Sequence, residues 1–204
     1  MKEAKLQQNI SFFNSLAKHY DWPLFQFWMK GFHKPVLAEI DVSQKLKILD
    51  VSCGTGELLV SLVKKDKNQN LQLYGVDIAE KMLRKAREKL ASSVRLQKAD
   101  VHKLKFPEHS FDYVISTESF HHYSDQQKAL QEMVRVAKKG GKVIVVDINF
   151  FFRGIHWLFE TFEPGCVKVN NKKEMRKLFE QAHLKNIKQE RSFLFAVMTT
   201  GIKS

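Results

Sequence analysis

Two carboxylates and a pair of glycines stand at spacings that favour the binding of a nucleoside. Asp50 ends a short apolar run and is followed by Gly54 and Gly56. Glycines let backbone N–H groups approach a ligand because they have no Cβ, and the helical pattern that begins at Glu57 points its N-terminus at the same place. Asp77 ends a second apolar run roughly 20 residues further on, the spacing at which a strand-end acid meets a ribose in nucleotide-binding sheets.

Strands that alternate with helices are predicted to position these groups. The apolar runs predict strands over residues 46–51, 71–76, 94–98, 111–116 and 142–148, with helices over about 55–66, 79–91 and 124–138. A last helix is predicted over 170–183, followed by strands at 186–191 and 193–200. Such alternation is typical of an α/β protein with a parallel sheet covered on both faces. Asp50, Asp77 and Asp100 all end predicted strands, where doubly wound sheets bind ligands.

Four motifs in this order resemble the signatures of class I S-adenosylmethionine-dependent methyltransferases. They are Asp50–Gly56, Gly75–Leu83, Lys98–Val101 with the run that ends at Ser116, and Gly140–Val146. The resemblance covers about residues 44–204, and the chain is similar to the small-molecule methyltransferases of ubiquinone and menaquinone biosynthesis. It departs from the family at Ser52, where glycine is usual. The resemblance implies a Rossmann-like, doubly wound, seven-stranded sheet, mostly parallel with an antiparallel C-terminal hairpin strand.

The resemblance also implies how the cofactor S-adenosylmethionine, and its product S-adenosylhomocysteine, would be held at the ribose and methionine ends. Asp77 is expected to bind the ribose hydroxyls, because its two oxygens can accept from both. The loop through Ser52, Gly54 and Gly56 is expected to run under the methionine part. Asp50 is expected to orient that loop or to meet the ammonium group.

The adenine is expected to meet four residues that the resemblance supplies. Asp100 would accept from the adenine amino group, and the backbone N–H of Val101 would donate to the ring. Ile78 and Met82 would pack on the two sides of the ring. Two alternatives stay open from the residues themselves: Asp100 could cap a turn, and Met82 could be ordinary helix core.

Methyl transfer from a sulfonium is an in-line displacement that needs mainly positioning and exclusion of water. The backbone of Ser116 is expected near the sulfonium, and Tyr20 is expected to close over the cofactor or to pack against a neighbouring proline. A base is needed only where the acceptor loses a proton. His121 and His122 are the candidates because histidine titrates near neutrality, with Glu118 behind them. A packing role for the histidine pair is the alternative.

Two aromatic segments, one before the first predicted strand and one after the fifth, predict a pocket for an apolar or aromatic acceptor. Residues 1–43 are predicted to form a helical lid ahead of a methyltransferase domain at residues 44–204. A second aromatic stretch, Phe150–Phe159, follows a predicted strand and belongs on the same rim. His33 and His156 could reach the pocket from these two segments. An apolar face on the N-terminal segment could instead contact membrane lipid.

The composition limits the partners. The net charge is +12, but the cations are mostly lysines spread along helices, so nucleic acid is not expected as a partner. Contact with a membrane surface stays open, and the oligomeric state is not indicated. The two cysteines, Cys53 and Cys166, have no metal-site spacing, and no metal is expected. No apolar stretch approaches ~18 residues and no signal peptide is recognisable, so a cytoplasmic location is expected.

Rival functions fit the motifs less well. A dinucleotide fingerprint would need a third glycine where Leu59 stands, and the Gly-Lys-Ser/Thr of a phosphate-binding loop is absent. Amino-group methylation of bases or glutamine is usually marked by Asn-Pro-Pro-aromatic, whereas this chain has Ser116–Ser119. The prediction is an S-adenosylmethionine-dependent methyltransferase for a small apolar or aromatic molecule. An RNA or protein methyltransferase, or a non-catalytic cofactor-binding partner protein, is the alternative.

Overall fold

The computed structural model describes residues 2–16, 23–90, 92–150, 152–193 and 195–204. Strands in this part of the chain form one sheet: β1 Leu46–Val51, β2 Leu71–Asp77, β3 Val94–Lys98, β4 Phe111–Thr117, β5 Ala137–Ile148, β6 Leu184–Phe193 and β7 Ala196–Lys203. The α-helices are α1 Lys2–Leu16, α2 Pro23–Glu39, α3 Glu57–Lys65, α4 Glu80–Leu90, α5 Gln126–Val136, α6 Arg153–Phe162 and α7 Lys172–Gln181. Short 3-10 turns at Val101–Lys103 and Phe120–His122 follow β3 and β4.

The order of the strands across the sheet is β3-β2-β1-β4-β5-β7-β6. The first five strands are parallel, and β7 runs antiparallel between β5 and β6, with register shifts along its pairing with β6. The predicted α/β class, a doubly wound and mostly parallel seven-stranded sheet, is therefore confirmed. The order reverses between β1 and β4, so their carboxyl ends flank the crevice in which such sheets bind ligands.

The junction of α5 and β5 differs from the prediction. The sequence pattern carries the helix to residue 138 and begins the strand at 142, whereas α5 ends at Val136 and β5 begins at Ala137. Ala137 pairs with Phe111, and the register then shifts before Tyr113 pairs with Lys142. The predicted start of β5 was therefore wrong. The first part of this strand pairs irregularly with β4, and an irregular stretch of this kind has no alternating apolar pattern in the sequence.

Apolar clusters cover both faces of the sheet. Helices α2, α3 and α4 pack on one face through side chains such as Phe32, Leu62 and Leu83. Helices α5 and α7 pack on the other face through Met133 and Phe179. Because Phe32 is fully buried, the second half of α2 is part of the core. The helical lid predicted within residues 1–43 stays a prediction. The second half of α2 is excluded from it, and α1 is the helix to which it applies.

Membrane-spanning helices and metal-binding clusters are both absent from the residues that the structure describes. No helix in this part of the chain is long and apolar enough to cross a membrane. Within the same ranges, no group of three or more His, Cys, Asp or Glu side chains could hold a metal ion.

Candidate active site

The loop after β1 is shaped by residues in the left-handed region. Ser52, Gly54 and Gly56 have φ angles of +58°, +53° and +82°. This region favours glycine, which accounts for the glycine usual in the family at the place of Ser52. Gly56 also lies against α4, since a Cβ there would come within 2.7 Å of the Leu90 side chain. Gly56 therefore serves helix packing and does not line the main cavity described below.

Asp77, at the end of β2, braces this loop. Its Oδ2 accepts from the Gly54 N–H at 2.8 Å, and its Oδ1 accepts from the Ala79 N–H at 2.8 Å. Burial raises the pKa of Asp77, although these backbone N–H groups favour the charged form. Each carboxylate oxygen can accept a further hydrogen bond. The side chain therefore retains the capacity to bind the two hydroxyls of a ribose.

A cavity with about 800 Å³ of empty space opens beside the loop, and we call it the main cavity. Its walls bring together nine residues predicted for the site: Ser52, Gly54, Asp77, Ile78, Met82, Asp100, Val101, Glu118 and His122. The remaining lining residues are Asn9, Phe13, Ala99, His102, Ser119, Tyr123 and Ser124.

The end of the main cavity near β3 suits a nucleoside base. Met82 is buried with Ala79 and packs against Phe13. Asp100 caps the 3-10 turn after β3: its Oδ1 accepts from the His102 N–H at 2.9 Å and lies 2.7 Å from His102 Nδ1. The His102 side chain lowers the pKa of Asp100, so this carboxyl is charged near neutrality. The turn-capping alternative is thus observed, and binding of adenine by Asp100 stays a prediction.

A smaller cavity adjoins the main cavity across residues 52–54 and contains Asp50. Asp50 Oδ1 is buried without a hydrogen-bond partner, and so is Thr55 Oγ1 in the same wall. Burial, and then the Asp77 carboxylate, raise the pKa of Asp50 well above its usual range. His33 of α2 also lines this cavity, and burial lowers its pKa to about 4, so it is neutral.

An unpaired buried carboxylate is costly, and a bound cation with N–H donors relieves that cost. The ammonium group in the methionine part of S-adenosylmethionine is such a cation. Asp50 therefore fits the cofactor, but from the smaller cavity and not from the main one.

The opposite end of the main cavity is formed by α1 and the residues after β4. Phe13 meets the His122 ring edge-on at 4.9 Å, and Asn9 Nδ2 donates to the His122 carbonyl at 3.2 Å. Burial, and then the neighbouring His121, lower the pKa of His122 to about 3. The imidazole is therefore neutral at pH 7, and its Nδ1 is without a hydrogen-bond partner. This end presents an aromatic face beside a neutral imidazole.

His121 does not reach the main cavity. Its Nδ1 lies 2.6 Å from Asp147 Oδ1, and its ring is 4.1 Å from the ring of His122. Burial alone would lower the pKa of His121, but the charge and hydrogen bond of Asp147 outweigh burial and raise it. The histidine pair therefore divides into a His121–Asp147 pair behind the wall and a neutral His122 on it.

Other predicted residues lie off the wall, and sequence reasoning missed some that form it. The buried Ser116 hydroxyl lies 2.9 Å from the Tyr123 hydroxyl, which is also 2.9 Å from the Ser52 hydroxyl. Tyr20 lies outside the described residues. Tyr123 was missed although it directly follows the histidine pair. Asn9 was missed because nothing in its neighbourhood marks it.

Comparison with known proteins identifies the family. A family model described as a methyltransferase domain matches residues 49–145. The demethylmenaquinone methyltransferase of Shouchella clausii is 31% identical, and the match covers 85% of this chain and 78% of that protein. The chain belongs to the class I S-adenosylmethionine-dependent methyltransferases. The demethylmenaquinone methyltransferase of Desulfitobacterium hafniense is 35% identical over 67% of this methyltransferase, which spans only 56% of that relative's length.

Solved structures agree with the fold of this methyltransferase. A chain from the complex between the Haloferax volcanii Trm112 methyltransferase activator and a methyltransferase superposes with a TM-score of 0.79. It is 20% identical, and the match covers 93% of this chain and 96% of that one. An S-adenosylmethionine-dependent methyltransferase from Aquifex aeolicus gives a TM-score of 0.72 at 23% identity, covering 94% and 98% of the two chains.

Proposed function

We propose that this methyltransferase acts on a small aromatic acceptor of the quinol kind. The observation that carries the proposal is the main cavity, which joins the Asp77 carboxylate, predicted to bind ribose, at one part of its wall to the aromatic face of Phe13 at another. Cofactor and acceptor would share this cavity, because one wall carries Asp77 and another carries Phe13 and His122. The relatives named demethylmenaquinone methyltransferase support an acceptor of this kind.

Bound S-adenosylmethionine would supply an activated methyl group on its sulfonium, and the protein's part is to bind, orient and dehydrate. Asp77 would hold the ribose, and Asp50 would hold the ammonium group. The neutral His122 lies on the cavity wall against Phe13, and these two rings would orient the acceptor ring for in-line attack. His121 contacts His122 and not the cavity, so it would act with Asp147 as a positioning residue.

The test is an acceptor screen with the full chain and S-adenosylmethionine. The acceptors are a soluble naphthoquinol that lacks a ring methyl group, a set of small amines, and transfer RNA. Formation of S-adenosylhomocysteine and the methylated product are followed by chromatography and mass spectrometry. Methylation of the naphthoquinol alone is the expected result. Binding of the cofactor with methylation of RNA, or of amines only, would refute the quinol proposal.

A further inference from the structure

Helix α6 has an apolar surface that faces solvent. Five large apolar side chains in and beside it are between 41% and 73% exposed: Phe152, Ile155, Trp157, Leu158 and Phe162. Single exposed apolar residues are ordinary, but a helix with a continuous exposed apolar face marks an interaction surface.

His156 and Glu160 of α6 face the protein. His156 is buried, with its Nε2 3.0 Å from the Phe150 carbonyl, and the Phe159 ring packs on Phe150 at 5.3 Å. Glu160 accepts from the Val169 N–H at 2.7 Å. Glu163, just after the helix, is half-buried, and burial raises its pKa. The carboxyl groups of Glu160 and Glu163 are thus at least partly withdrawn from solvent. No other acidic residue occurs in α6, so the exposed face of this helix has no carboxylate.

The geometry points to α6 as a docking helix for an anionic phospholipid membrane, lying in the interface with its apolar side among the acyl chains. Charge complementarity supports this occupant. The chain has a net charge of +12, and two exposed lysines, Lys172 and Lys173, begin α7. Lys172 follows Val169 by three residues, so their Cα atoms are at most about 11 Å apart. Interfacial helices combine aromatic and leucine side chains with nearby cations in this way.

A second copy of this chain is the other occupant to consider for the same face. Two molecules with the same high positive charge repel each other, whereas an anionic lipid surface attracts each of them. The charge therefore favours lipid over self-association.

The position of α6 connects this surface with the site. The Phe159 ring lies 5.9 Å from the ring of His121, which contacts His122 on the cavity wall. A membrane on α6 would thus lie beside the acceptor end of the main cavity. Delivery of a lipid-soluble acceptor from that membrane rests on the proposed function, but docking itself does not.

Docking is tested with the full chain and vesicles made of equal parts phosphatidylglycerol and phosphatidylcholine. Co-sedimentation measures binding, and the emission of exposed Trp157 should shift to the blue, a shift that Trp157→Phe removes. Phe162→Asp should weaken partitioning by about tenfold or more, because it takes an aromatic ring out of the lipid and adds repulsion. Ser92→Asp, which adds the same charge at an exposed site before β3, is the matched control and should bind like the unchanged protein.

Three outcomes would overturn the proposal. The first is equal binding to pure phosphatidylcholine and to the anionic vesicles at about 0.1 M salt. The second is equal binding by the Phe162→Asp and Ser92→Asp variants. The third is the absence of vesicle binding together with concentration-dependent self-association that Phe162→Asp removes, which would assign α6 to a dimer. Cofactor affinity, measured by calorimetry, is expected to be unchanged in both variants, so failure of docking would leave the methyltransferase proposal standing.

Discussion

Replacement of Asp77 by Asn tests the cofactor site most directly. The amide keeps the shape of the carboxyl group but has one acceptor oxygen in place of two, so either the Gly54 N–H or the Ala79 N–H would face a donor. The variant also removes one of the two hydrogen bonds expected from the ribose hydroxyls and weakens the other. A hydrogen bond to a charged group contributes about 1.5–3 kcal/mol. Loss of one such bond and weakening of the other predicts about 2–4 kcal/mol, or about 30-fold to 1,000-fold weaker binding.

Titration calorimetry with S-adenosylmethionine and S-adenosylhomocysteine measures this loss. Asp66→Asn is the matched control, because its two oxygens accept from the Asn70 and Leu71 N–H groups at 3.0 and 2.7 Å. Asp66 thus makes the same pair of backbone contacts before β2, away from the residues of either cavity. Thermal unfolding shows whether both variants remain folded. Equal cofactor affinity in the folded Asp77→Asn variant and the unchanged protein would refute the assignment of the ribose site.

Three further predictions concern other parts of the site. Gly165→Ala should turn the Asn9 side chain away from the His122 carbonyl, because the new Cβ would come within 1.7 Å of Asn9 Oδ1 at a φ of +78°, and faster hydrogen exchange in α1 is the expected sign. The buried His33 has a pKa of about 4 in place of the ordinary 6.5. Between these two pH values its side chain takes up a proton only when the protein unfolds. Stability should therefore fall by about 2 kcal/mol from pH 7 to pH 5 relative to His33→Asn; equal pH dependence in denaturant titrations would contradict this. His122→Gln should lower turnover by about 100-fold without changing cofactor affinity, because the acceptor ring loses a positioning contact, and retained turnover would exclude His122 from the mechanism.

The fold could be predicted, and a cofactor site could be proposed at the rim of the sheet, because the signals for both are local. A buried strand that ends in Asp, as at Asp50 and Asp77, is unusual enough to mark the rim of the sheet, and the structure places both beside cavities. The role of Gly56 was harder to predict, because its contact with Leu90 joins residues far apart in the sequence. The acceptor end depends on how α1 packs against the turn after β4, and no spacing rule specifies that contact.

The pKa values could not be predicted either. Histidine was chosen as a candidate base for its ordinary titration near neutrality, but burial makes His122 a far weaker base. Its exposure depends on Phe13 and Asn9, which reach it across more than a hundred residues of chain. Environment therefore decides between a base and a hydrogen-bond acceptor.

The two outer strands of the sheet differ from the inner ones in a way that bears on aggregation. Strand β3 is only five residues long and includes Arg95 and Lys98. Strand β6 presents the exposed Lys185 and Lys188, and its pairing slips in register between them. Short length, lysine and irregular register each hinder the addition of a foreign strand. Both edge strands therefore disfavour intermolecular strand pairing. The protein can expose apolar surface elsewhere without forming fibrils through its sheet edges.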